Sequence, residues 1–223
     1  MNYQIIIPAR GGSKRLPGKN IHPLNGIPMI AYSIIFAKKN FPDSRIWVNT
    51  DDDAIAYAAM QYGVSITNRP KELGSDTTST AEVLFYQGQY FSIHNIPCDA
   101  MILLQPTNPL RPENLLKVAI ESYETNQRSS LASFSILNRK FGKIKNNFFK
   151  PSNYKPGERL QDVDPDYYEN GLIYITNIKS IQKKEIITPD VFPLITNTIE
   201  STVDIDEPHD ILFAEFLIKN NLL

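Results

Sequence analysis

The sequence predicts an α/β domain with a mainly parallel sheet covered by helices on both faces. Three observations carry that expectation. Short β-branched, apolar runs alternate along the chain with segments of helical period, the pattern of consecutive βαβ units. The first run, residues 3–8, is apolar without polar alternation, as suits a strand buried on both faces. A glycine-bearing loop follows it directly, where open α/β sheets bind their ligands.

The elements follow in order. Gly11 and Gly12 end the first strand. Ile30, Ile34, Ile35 and Ala37 recur at helical spacing over 29–39, and Pro28 stands where a helix begins. Residues 45–49 read as a strand, 52–62 as a helix with an acidic first turn, and 64–67 as another short strand. A third helix covers 79–90, a strand 100–105, a helix opened by Pro and Glu 112–124, and a strand 130–136. The pattern returns with a strand at 171–176, a short helix at 178–184, the strand-like run Val203-Asp-Ile-Asp206 and a last helix at 208–219.

Between 137 and 168 the rhythm breaks, and the composition shifts to Lys, Asn, Pro, Phe and Tyr, with Asn146-Asn147 as a hairpin turn. Phe141, Phe148, Phe149 and Tyr154 make the segment too aromatic for a disordered tether, so it reads as an insertion that packs on a partner or over the site.

Composition narrows the functions. A chain of 223 residues suits one domain and buries roughly 70% of its unfolded surface without staples. With 23 basic against 24 acidic side chains the formal charge is -1, which argues against a nucleic-acid partner held by a broad basic surface. Cys98 is the only cysteine, which leaves no intramolecular disulfide, CxxC pair or Cys-rich zinc site. The first residues carry no basic leader, so a cytoplasmic location is expected. No apolar run approaches the roughly 20 residues of a bilayer span, so no membrane partner is expected.

The chemistry concentrates in Pro8-Ala-Arg-Gly-Gly-Ser-Lys-Arg-Leu-Pro-Gly-Lys-Asn20. Four cations, Arg10, Lys14, Arg15 and Lys19, fall in ten residues. Gly11, Gly12 and Gly18 let the backbone approach a ligand and turn its amides inward. Such a loop suits a polyphosphate, whose developing charge is stabilised by cations fixed in a partly dry cleft. The spacing is neither a Walker loop nor a GxGxxG dinucleotide motif. A solvated basic turn is the competing reading, and the position after a buried strand weighs against it. A second constellation is Asp204 and Asp206: alternation in a strand puts both carboxylates on one face, where they suit Mg2+ shared with substrate phosphates. The same acids, with Glu207 and Asp210, equally fit a precap of the final helix. His209 reads as a surface or capping residue, since no second His stands at ligand spacing.

Together these two pieces resemble the CMP-sialic acid synthetase family, the acylneuraminate cytidylyltransferases. Further marks are Asn49-Thr-Asp-Asp52, Arg69-Pro-Lys-Glu-Leu73 with Asp76 and Ser79, Leu104-Gln-Pro-Thr-Asn-Pro-Leu-Arg111, and Glu169-Asn-Gly-Leu-Ile-Tyr174. The resemblance implies a three-layer αβα Rossmann-like nucleotidyltransferase fold with an inserted dimerisation segment at about 137–168, within a single domain 1–223. It also implies attack by the anomeric hydroxyl of a nine-carbon 2-keto sugar acid on the α-phosphate of CTP, with Mg2+ or Mn2+, giving a CMP-sugar and pyrophosphate. Arg10, Lys14 and Lys19 would serve the phosphates and Asp206 the reaction. Ala9, Gly11, Asn20, Arg69, Ser79 and Thr80 would complete the nucleotide side, and Asp204 with Asp206 would hold the metal. Gln105, Arg159, Gln161 and Tyr174 would face the sugar acid.

The insertion departs from the family pattern: Asn138-Arg-Lys-Phe-Gly-Lys143 does not align uniquely with the residues that receive the sugar carboxylate. Arg159 is preferred to Lys140 for that role, because a guanidinium matches a carboxylate bidentately. Gln105, Thr107 and Asn170-Gly171 equally fit strand ends and turns. The resemblance further implies a homodimer through the insertion. Gly18 and the Asn-Gly-Leu-Ile-Tyr strand look more like the sialic and legionaminic branches than the pseudaminic one. Pseudaminic acid, Kdo and a catalytically silent nucleotide binder remain the alternatives.

Overall fold

A computed structural model describes residues 1–222. The elements, in order, are β1 (Tyr3–Pro8), β2 (Pro23–Leu24), β3 (Ile27–Pro28), α1 (Met29–Lys38), β4 (Ile46–Thr50), α2 (Asp53–Met60) and β5 (Ser65–Asn68). Next come α3 (Thr80–Ile93), β6 (Ala100–Leu103), α4 (Leu115–Asn126), β7 (Ser130–Leu137), β8 (Gly142–Lys145) and β9 (Phe148–Pro151). The chain closes with β10 (Asp166–Asn177), α5 (Ile178–Ile181), β11 (Phe192–Ile195) and α6 (Pro208–Lys219).

Seven strands form one sheet in the order β11-β7-β10-β6-β1-β4-β5. Every pairing is parallel except those of β10, which runs antiparallel to both β6 and β7. The mainly parallel α/β expectation therefore holds. β1 lies centrally, and its missing alternation has the expected cause. Ile5 and Ile7 pack into the core on one face, Ile6 into the core on the other, and all three are fully buried. Polar atoms on the second face pair locally, Trp47 Nε1 donating to Gln4 Oε1 at 3.0 Å.

Helix starts are set by side-chain caps. Asp52 accepts from the Ile55 amide at 3.0 Å to open α2. Ser79 and Glu82 form a reciprocal capping box at the start of α3. Asp210 accepts from the amides of Asp206 at 2.9 Å and Glu207 at 2.8 Å to open α6. His209 lies at the surface beside those acids, as expected.

Two expectations need correction. Residues 203–206 form no strand. Val203 and Ile205 are nevertheless buried, and the segment is held to the loop after β6 by one bond, Ile205 N to Thr107 O at 2.7 Å. The helix expected from 112 starts at Leu115, because the chain first turns through Pro112, whose carbonyl accepts from the Leu115 amide. Within the insertion, Asn146 and Asn147 both have positive φ, 51° and 64°, as a two-residue hairpin between β8 and β9 requires. Ile144, Phe148 and Phe149 stand exposed on that hairpin.

Candidate active site

The loop after β1 is shaped by what its neighbours leave room for. The Ala9 amide continues the β1–β4 ladder to Asn49 O at 2.9 Å. The chain then leaves the sheet over Asp51 and Asp52, and a Cβ on Gly11 would collide with the Asp52 carboxylate. Gly18 adopts the left-handed region at φ 66°, which ends the loop and starts the turn that carries Lys19 and Asn20. Asn20 is buried and donates through Nδ2 to Arg10 O at 2.9 Å, so the far end of the loop fixes its beginning.

This loop forms one wall of a cleft of about 290 Å³. Arg10, Lys19, Asn20, Arg69, Thr80 and Gln105, all nominated by the sequence, line it. So do Ser75, Asp76 and Thr107, to which no role was assigned. Ala9, Gly11 and Lys14 lie in the loop itself. A larger hollow of about 720 Å³ sits on α3 and α5, but His94 is its only acidic or basic residue and it carries no comparable chemistry.

The four loop cations are divided between two carboxylates. Arg10 Nη1 and Lys14 Nζ reach Asp76 at 2.9 and 2.5 Å. Arg15 Nη2 and Lys19 Nζ reach Asp206 at 2.6 and 2.9 Å. The Lys14 hydrogen bond, with the charge of Arg10, holds the Asp76 carboxyl below the usual range. Burial works to raise Asp206, yet Lys19 and Arg15 together outweigh it and keep that carboxyl low. Asp204 behaves oppositely: desolvation and the neighbouring Asp206 charge raise it, against a hydrogen bond from Thr107 and the charge of Lys19. The residue is exposed, so water screens part of that effect.

Deeper in the cleft, Arg69 is buried and donates to Asp51 Oδ1 at 3.1 and 3.3 Å. Burial pulls its guanidinium down while Asp51 holds it charged. The same Asp51 oxygen accepts weakly from the Gly11 amide at 3.4 Å, so one carboxylate orients both a cleft cation and the glycine loop. Outside the lining, buried Arg111 holds the Gln105 backbone in place, donating to Leu172 O at 2.8 Å, Ser33 Oγ at 3.0 Å and Gln105 O at 2.8 Å. With no acid beside it, burial pushes the Arg111 guanidinium down to about 9.

Asn170 and Gly171 are more than a turn. Gly171, at φ 77°, interrupts the register of β10 between Glu169 and Tyr174. It lies so close to Asn108 that any side chain would clash. Asn108 Nδ2 in turn donates to Asn170 O and Val203 O, both at 3.1 Å, fixing the segment that presents Asp204. Tyr174 is buried and donates to Glu169 at 3.3 Å. Burial first, then Glu169 and Asp204, push its phenol well up, so it stays protonated.

Asp204, Asp206 and Tyr174 are not among the residues that line the cleft, although Asp206 pairs with lining Lys19, and three further nominated residues sit elsewhere. The Ser79 hydroxyl is engaged in the α3 capping box and does not line the cleft. Arg159 pairs bidentately with Asp162 at 2.7 and 3.0 Å, and exposed Gln161 lies in the same short turn of the insertion, away from the cleft lining. Asp51, Asp76, Thr107 and Arg111 are the positions whose parts were missed. Their motifs were visible, but their partners are distant in sequence. Among the described residues no three His, Cys, Asp or Glu gather as a metal cluster, which leaves the Asp204–Asp206 pair, suited to a cation that also binds substrate oxygens. None of the described helices is long and apolar enough to cross a membrane.

A glycine loop at the end of the central parallel strand, with its cations joined to one of two paired carboxylates, defines a nucleotidyltransferase. The cytidylyltransferase family model matches residues 4–223, and the chain belongs to that family. It is 34% identical over 228 residues to a CMP-N,N'-diacetyllegionaminic acid synthase of Legionella pneumophila, covering 99% of this chain and 98% of that protein. It is likewise 34% identical over 232 residues to a pseudaminic acid cytidylyltransferase of Campylobacter jejuni, covering 99% and 98%. Among solved structures, a CMP:2-keto-3-deoxy-manno-octonic acid synthetase complexed with CTP superposes with a TM-score of 0.71, at 17% identity, over 99% of this chain and 100% of that one, which shows the shared fold.

Proposed function

We propose that the protein transfers CMP from CTP to the anomeric hydroxyl of a nine-carbon 2-keto sugar acid of the sialic or legionaminic type. The observation that carries this reading is the cleft itself, in a chain of this family. Lys19, which lines the cleft with Gln105 and Thr107, pairs directly with Asp206 and so ties the loop cations to the Asp204–Asp206 pair.

In this reaction the sugar oxygen bonds to the α-phosphorus as the bond from that phosphorus to the pyrophosphate bridging oxygen breaks. Arg10, Lys14 and Lys19 bind the phosphates and stabilise the charge gained by the leaving pyrophosphate, more effectively in a cleft than in water. Asn20, Arg69 and Thr80 shape the nucleotide side, with Ala9 and Gly11 offering backbone groups. Gln105 faces the acceptor from the cleft wall, while the Tyr174 phenol donates to Glu169 and supports that side from outside the lining. Asp204 and Asp206 would hold Mg2+ or Mn2+, which supplies Lewis-acid neutralisation of the phosphate oxygens when bound. The depressed Asp206 carboxyl makes it a persistent anion and a weak base, which suits that task. The hydroxyl proton leaves toward Asp204, the member of the pair whose proton affinity is raised.

The exposed hairpin aromatics support a homodimer joined through 137–168, with Arg159 and Gln161 brought to a sugar acid by that association. The relatives leave the acid open between the legionaminic and pseudaminic types; Gly18 and the Asn170–Tyr174 run favour the former. Pyrophosphate release with CTP and N-acetylneuraminic, legionaminic, pseudaminic or Kdo acid tests the proposal. Release with a legionaminic or sialic acid supports it, release with pseudaminic acid alone favours the runner-up, and CTP binding without release under any acid overturns it.

A further inference from the structure

The cations meant for phosphate are already occupied. Arg10 and Lys14 both close on Asp76, and Arg10 also donates to Ser75 O at 3.2 Å in the same short strap, residues 74–78. Lys14 is otherwise the most open of the loop cations, its side chain 83% exposed, so Asp76 is what draws it to the cleft. The strap is held in place rather than draped there. Gly74 lies against Asp51 so closely that any Cβ would collide with that carboxylate. Ser75 Oγ lies 2.8 Å from Thr78 Oγ1, and Thr78 Oγ1 donates to Glu72 O at 3.1 Å. Asp51 also holds Arg69 and touches the Gly11 amide, so strap and glycine loop share one anchor.

We propose that Asp76 is an internal competitor for the phosphate-binding cations, a carboxylate that the triphosphate must displace and that retakes Arg10 and Lys14 when pyrophosphate leaves. This rests on the transfer reading above and adds a specificity-determining residue to it. Two cations sharing one carboxylate present less net positive charge than two free ones. An anion of low charge therefore gains little by displacing it, whereas a polyphosphate contacting both cations gains more. The cost of a tightly held leaving group is a slow site, and a waiting carboxylate on the cleft wall shortens that step. Asp206 occupies Lys19 and Arg15 in the same way on the other side, but it belongs to the pair suited to the metal. Asp76 lies apart from that pair, so its removal leaves the metal carboxylates in place.

The test is calorimetric binding of inorganic pyrophosphate and tripolyphosphate to the full-length protein, with no nucleotide and no sugar, for wild type, Asp76→Asn and Asp76→Ser. The proposal expects both variants to bind each anion about threefold to tenfold tighter, the scale on which partly exposed ion pairs compete. Asp76→Glu should stay near wild type, and turnover by Asp76→Asn should be inhibited by lower pyrophosphate. Unchanged or weaker anion binding in both folded neutral variants overturns it and makes Asp76 a positioning group for Arg10 and Lys14. Tighter anion binding without formation of any CMP-sugar by wild type would keep the competitor and sink the transfer reading.

Discussion

Lys19 Nζ lies 2.9 Å from Asp206 Oδ1, although the two residues are at opposite ends of the chain. The contact joins the loop after the central strand to the segment before the last helix, and so closes the cleft. Lys19 is the best shielded of the four loop cations, with 13% of its side chain exposed, which makes its charge count most on a bound phosphate. Asp206→Asn should therefore retain CTP binding and lose kcat by about 100-fold or more, the scale seen when one charge-stabilising group is removed. Lys19→Met should lower kcat comparably and also raise KM for CTP. Steady-state kinetics on both variants decides it, and an Asp206→Asn enzyme with near-normal kcat would remove Asp206 from the chemistry.

The two carboxylates respond to pH with opposite sign. Asp206 is depressed in the folded state, so its contribution to stability is present above the unfolded carboxyl value and is lost as pH falls through its lower folded value. Asp204 is raised, so its contribution is present at acid pH and is lost as pH rises through its folded value. In metal-free protein at neutral pH, Asp204→Asn should raise Tm by about 1–2 °C, a small shift because water still screens the residue. Asp206→Asn should lower it. The Asp204→Asn gain should vanish on titration below the ordinary carboxylate range, and a loss of Tm at neutral pH would contradict the assigned sign.

Adjacent glycines differ sharply in tolerance. A Cβ on Gly11 meets the Asp52 carboxylate that caps α2, whereas nothing lies within 4 Å of one on Gly12. Gly11→Ala should cost about 1–3 kcal/mol through overpacking and weaken CTP binding, while Gly12→Ala should leave stability within about 0.5 kcal/mol. Urea denaturation of the pair separates them, and equal effects would mean that the loop shifts freely over Asp52.

Arg111 holds three protein oxygens with no acid of its own. Arg111→Met should cost about 2–4 kcal/mol, because the Leu172 and Gln105 carbonyls lose their partners while buried. Since the Gln105 backbone is one of them, KM for the sugar acid should rise more than KM for CTP. Unequal movement of the two KM values supports a positioning role; equal movement would leave only a structural one.

The exposed hairpin bears on assembly. Phe148 and Ile144 are 79% and 76% exposed at β9 and β8, an exposed apolar pair of the kind that an interaction surface carries. Wild type should scatter light as a dimer at micromolar concentration, and Phe148→Lys with Ile144→Lys should scatter as a monomer with reduced turnover. A monomeric wild type with full activity would dismiss the dimer.

The legible parts of the chain were those governed by local rules. β1 was visible because burial on two faces removes alternation, and the β8–β9 turn because two asparagines tolerate positive φ. β11 was missed since Pro193 interrupts its pattern, which an edge strand pairing only with β7 allows. The first half of β10 was hidden by the aromatic insertion and by Gly171, which mimics a turn where the structure has an irregular strand. In the cleft the cations and the carboxylates were visible separately, but their pairing was not. Asp76 and Asp206 stand far along the chain, and which cation each one holds is decided by the packing of the strap and of α6.

The central claim is CMP transfer, and phosphorus NMR of a mixture of protein, CTP, Mg2+ and a legionaminic or sialic acid tests it most directly. The account predicts a new phosphodiester resonance of a CMP-sugar growing in step with free pyrophosphate, absent when ATP, GTP or UTP replaces CTP. Intact CTP with every nine-carbon acid, or pyrophosphate released without a sugar phosphodiester, would contradict it.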